Sequence, residues 1–71
     1  MNKKALLSKM VLFGDNGGTL SEALGMSRST FSAKINESGA EFTQGEIMLI
    51  MERYSLTPEE VADIFFNHEV S

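Results

Sequence analysis

The chain contains no cysteine. Neither a disulfide nor a thiolate metal site can reinforce it, and the absence fits a reducing cytoplasm. Long apolar runs are missing too. None approaches the roughly 20 residues a membrane helix needs, so no membrane association is expected. The start, MNKKALLSKMVLF, lacks a long apolar block and a small-residue cleavage site, so no signal peptide is expected. Repeats, low-complexity stretches and linkers are absent. No segment alternates with period two, which leaves strands without support. The 71 residues read as one domain, 1–71. Its core is thin, because so short a chain buries only about 60% of the surface it exposes when unfolded.

Catalytic patterns are also lacking. No Cys–His or Ser–His pair is placed by a motif. The glycines of GDNGGT, Gly14 to Thr19, come without the lysine and preceding strand of a phosphate loop. Calcium-loop ligand spacing is missing as well, so the stretch reads as a turn. His68 stands alone and reads as a surface residue. No enzyme activity, cofactor, metal or small-molecule substrate is expected.

Positive charge is scarce: six Lys and Arg face ten Asp and Glu, a net charge of −4. It is unevenly spread. Residues 1–36 carry Lys3, Lys4, Lys9, Arg28 and Lys34 against Asp15 and Glu22, a balance of +3. Residues 37–71 carry Arg53 against Glu37, Glu41, Glu46, Glu52, Glu59, Glu60, Asp63 and Glu69, a balance of −7. The first half can face phosphate, whereas the second would repel it and suits a basic partner protein. Lys3, Lys4 and Lys9 read as a solvated face of the first helix, with backbone phosphate contact as the sharper alternative.

What is present is a series of helix starts. Thr19–Glu22, Thr43–Glu46 and Thr57–Glu60 have capping-box spacing, and hydrophobic staples join Phe42 to Ile47 and Leu56 to Val61. Pro58 suits a first helical position. Ser27 reads as a further N-cap, stapled by Met26 and Phe31. Gly14 and Gly25 close helices, and Gly39 follows a third. With apolar residues at helical spacing, these marks predict five helices, at about 2–13, 20–24, 28–36, 44–53 and 58–66. Near the C-terminus, Phe65 and Phe66 point about 100° apart on a helix. Burial of both is the simpler expectation, and an exposed one would mark a dimer contact or a partner groove.

Residues 20–36 combine a short helix, a turn at Gly25 and a capped helix. Leu24, Met26, Phe31 and Ile35 face inward and set the angle between the helices. That leaves Ser27, Arg28, Ser29 and Ser32 outward, with Lys34 and Asn36 further along. Such a helix can lie in a major groove with its first residues on base edges. Arg28, Ser29 and Ser32 are the expected base readers, and Ser27, Lys34 and Asn36 the backbone contacts.

The stretch LSEALGMSRSTFSAKIN is similar to the helix-turn-helix of the small phage repressors of the Cro and CI type. Leu20, Leu24, Gly25, Met26, Ser27, Thr30 and Phe31 fit the family pattern Leu-Ala-x-x-Leu-Gly-(Val/Ile)-Ser-x-x-(Thr/Ala)-(Ile/Phe). Ser21 stands where the family has alanine, and Lys34 in an often apolar slot. EFTQGEI and LTPEEVADIFF extend the likeness to short regulators near the lysis–lysogeny switch of temperate phages, a circle that includes the modulator-of-repression (MOR) antirepressors of lactococcal phages. The resemblance implies an all-α, compact five-helix, lambda-repressor-like DNA-binding domain with its helix-turn-helix at about residues 20–36. It implies a bacterial cytoplasmic regulator. The partner would be double-stranded operator DNA, or a phage CI-type repressor protein if the chain is an antirepressor, with a homo- or heterodimer compatible with either.

Overall fold

The computed structural model describes residues 1–66, so His68 and Glu69 lie outside the described residues. Every regular element among them is a helix: α1 (Lys3–Leu12), α2 (Gly17–Ala23), α3 (Arg28–Ile35), α4 (Gln44–Arg53) and α5 (Pro58–Phe65). No helix among them is long and apolar enough to cross a membrane.

Local chemistry sets the boundaries. Thr43 and Thr57 accept hydrogen bonds from the amides of Glu46 and Glu60, whose carboxylates accept in return from the two threonine amides. The expected box at Thr19 is corrected. The cap of α2 is Asn16, whose Oδ1 accepts from the Thr19 amide at 2.9 Å. Thr19 is the third helical residue, and its hydroxyl accepts from the Asn16 amide. Helix α2 therefore begins at Gly17, about a turn earlier than expected, and Gly17 and Gly18 are helical rather than part of the turn. Asparagine outranks threonine as a cap, and its side chain sits where three donors are otherwise orphaned.

The first four helices end alike. At each, the first residue beyond the cap donates back three positions and the second donates back five: Asp15 to Met10, Met26 to Ser21, Ser38 to Ala33 and Leu56 to Met51. The residue between needs a left-handed backbone. Gly14 and Gly25 supply it at φ 77° and 74°, but Glu37 and Ser55 take it at 54° and 51° without being glycine. Gly39 is thus not the residue that closes α3.

One core joins all five helices: Leu6 and Met10 of α1, Leu20 of α2, Phe31 and Ile35 of α3, Ile47 and Ile50 of α4, and Ile64 and Phe65 of α5, with Tyr54 and Leu56 between the last two. Phe42 packs edge-on against both Phe31 and Phe65, with ring centres 5.9 and 5.8 Å away. Phe65 is buried while Phe66 is 55% exposed, so only one of the pair joins the core. Leu6, Leu20, Ile50 and Ile64 are sealed from solvent. Truncating any of them to alanine costs about 2–5 kcal/mol. That is a large share of the stability of a domain this small.

Four ion pairs among the described residues join separate segments, one of them from the Met1 amino group to Glu37 at 3.2 Å. Lys9 of α1 meets Glu60 of α5 at 2.7 Å, Lys34 of α3 meets Glu46 of α4 at 2.6 Å, and Arg53 meets Asp15 at 2.7 Å. The last is part of a larger clamp. Asp15 accepts from Arg53 Nε and Nη2, from the Tyr54 hydroxyl and from the Thr19 hydroxyl. It ties the α1–α2 loop to the end of α4. The hydrogen bond from Arg53 is the main reason the Asp15 carboxyl is held well below the usual carboxylate range.

Candidate nucleic-acid interface

Helices α2 and α3 pack against each other around Gly25, whose positive φ turns the chain with open space around it. Ser21, where the family pattern has alanine, is buried in α2. Its hydroxyl donates to the Gly18 carbonyl at 2.9 Å, which satisfies it without a partner on α3.

Helix α3 starts at its expected cap. Ser27 Oγ accepts from the Thr30 amide at 3.2 Å and donates to the Thr30 hydroxyl at 2.9 Å. It also lies 3.2 Å from Ser29 Oγ. The Ser27 hydroxyl is therefore engaged in capping while the residue stays exposed. Phe31 and Ile35 are buried, while Arg28, Ser29, Ser32 and Asn36 are exposed. The exposed four follow one line along the helix, because residues three and four apart stack on one face. Eight residues make a helix of about 12 Å, comparable to the width of a major groove.

The charge on this face differs from the expected one. Lys34 is paired with Glu46, and both side chains are mostly covered, at 13% and 20% exposure. Burial works to raise the Glu46 carboxyl, but the Lys34 ammonium and the Thr43 amide win and lower it. Lys34 is thus corrected from a backbone contact to a strut between α3 and α4. The cation that borders this face is Lys3. Its ammonium reaches across from α1 to donate to Asn36 Oδ1, and Asn36 Nδ2 donates to Ser32 Oγ. Lys3 and Arg28 line one cleft, floored by Leu7, Met10, Phe31 and Ile35. No local pattern marks this pairing, because the first turn of α1 and the end of α3 are 33 positions apart.

Arg28 lies back over the start of α2. A Cβ at Gly18 would stand 3.3 Å from Arg28 Nε and 3.2 Å from Asn16 Oδ1, so glycine leaves the guanidinium its resting place. The side chains of Arg28 and Lys4 make neither a hydrogen bond nor an ion pair among the described residues. Lys3, Lys4 and Arg28 are therefore the three side-chain cations not tied to a carboxylate there. Comparison of the chain with protein-family models, with curated proteins and with solved structures found no match.

Proposed function

We propose that the chain is a small transcriptional regulator of the lambda-repressor-like helix-turn-helix class that binds operator DNA through α3. The observation that carries the reading is the exposed line Arg28, Ser29, Ser32 and Asn36, flanked by carboxylate-free Lys3. Arg28 and Ser29 begin the helix, where side chains meet base edges, and the short hydroxyls allow close approach. Arg28 can take a guanine bidentately or hold a phosphate. The amides of Arg28 and Ser29 donate to no group among the described residues and suit backbone oxygen. The likeness of residues 20–36 to the Cro and CI repressors supports a role in a temperate-phage-type switch.

The test is fluorescence anisotropy of the pure protein on random duplex DNA at low and moderate salt. Binding that weakens steeply with salt and is lost in Arg28→Glu is the expected result. No binding at low salt overturns the reading.

A second reading has its own support. Glu41, Glu52 and Glu59 are exposed, and none of their carboxylates has a hydrogen bond or ion pair among the described residues. Such a surface suits an antirepressor that covers the basic DNA-binding face of a CI-type repressor. That reading requires co-elution with the cognate repressor, and separate elution of the two proteins would remove it.

A further inference from the structure

Helix α1 is apolar on two sides. Leu6 and Met10 enter the core, yet Val11 is 76% exposed and Leu12 73%, with Leu7 exposed beside them. Together with Lys4 and Ser8 they line a shallow hollow on the outer side of the helix. A monomer gains nothing from such a patch.

Charge identifies what covers it. Lys3 and Lys4 are the first residues of α1, at the positive end of the helix dipole, and that turn holds no acidic residue. The only basic residue of the last turn, Lys9, is turned to Glu60 on α5. The helix thus carries spare cations at the end that disfavours them. We propose that a second copy of the chain seats on this face, with α1 antiparallel to its counterpart across a two-fold axis near Ser8. The Leu7–Val11 ridge of one copy enters the hollow beside Ser8 of the other. The small Ser8 lets the backbones approach. Lys4 of each copy then lies against the last turn of the other α1, where the negative end of the dipole favours it. An acidic partner helix would match Lys4 but leave that last turn bare. The same patch serves both copies, so assembly stops at two.

Sedimentation equilibrium tests this on the full chain without DNA, so its failure leaves the reading of α3 standing. The expected mass rises with concentration from 7.8 kDa toward twice that value. Val11→Glu and Leu12→Glu stay monomeric with unchanged helicity by circular dichroism, because both side chains are exposed. Lys4→Gln weakens association about threefold to thirtyfold. Ser8→Arg, also at an exposed position, blocks the approach independently should a glutamate variant lose helicity. A single-chain mass up to millimolar concentration overturns the proposal, as does association that the Ser8, Val11 and Leu12 variants leave intact.

Discussion

Asp15 gathers four donated hydrogen bonds from Arg53, Tyr54 and Thr19, and its side chain is only 7% exposed. Asp15→Asn is expected to cost about 2–3 kcal/mol, read as a lower urea midpoint at neutral pH. The sign with pH follows from its lowered pKa. A carboxyl near 3.9 when unfolded and lower when folded contributes its full share above about pH 4 and loses it as pH falls toward the folded value. Glu46 and Glu60 are lowered too and act in the same acid window. The wild type should therefore lose stability steeply below about pH 4, and Asp15→Asn should lose less. Lys34→Gln separates the two halves of the α3 correction. It is expected to lower the melting temperature, because it strands a mostly covered Glu46, while leaving DNA affinity within about twofold. Arg28→Glu should do the reverse. Neither the Asp15 clamp nor the Lys34 strut was legible in the sequence. Their partners lie 38 and 12 positions away, and a charged residue carries no local mark of whom it will meet. Arg28, Ser29 and Ser32 were legible, because a cap and a 3.6-residue period fix which side of a helix they occupy.

Helix ends were the most readable level, since a cap and its amide are three residues apart. The miss at Asn16 is instructive: Asn-x-x-Thr and Thr-x-x-Glu overlap at Thr19, and the better acceptor took the cap. Asn16→Ala is expected to cost about 1 kcal/mol. Hydrogen exchange should show α2 opening more readily while α4 and α5 keep their protection. The closing turns divide into comfortable and strained. Ser55 holds a left-handed backbone that costs a side-chain-bearing residue about 1–2 kcal/mol. Part of that returns as glycine's greater freedom when unfolded. Ser55→Gly is expected to stabilise by about 0.5 kcal/mol, or about 2–4 °C in Tm. Gly25→Ala should destabilise by about 1 kcal/mol from backbone strain alone, because nothing lies within 4 Å of the added carbon. Equal melting temperatures for the two variants would contradict this account of the turns.

For the whole molecule, the acidic composition conceals how few cations remain free. Three of the six basic side chains are tied to carboxylates, so one chain offers about three phosphate contacts. On the proposed DNA reading, affinity for random DNA should then fall about 40-fold between 50 and 200 mM salt for a monomer, and about 150-fold if two copies bind together, since Lys4 of each then lies in the contact between copies. The slope of affinity against salt thereby counts chains on the duplex, and Val11→Glu should return it to the shallower value. The clamp at Asp15 has one further use. The chain has a single tyrosine and no tryptophan, and that tyrosine, Tyr54, is 2% exposed with its hydroxyl on Asp15 at 2.7 Å. Its burial, and then the neighbouring carboxylate, push the phenol above its ordinary ionisation range. All tyrosine emission and all tyrosinate absorbance of the protein therefore report from the junction between the α1–α2 loop and α4. An alkaline spectrophotometric titration, or a simple emission scan during unfolding, watches that junction open without any label.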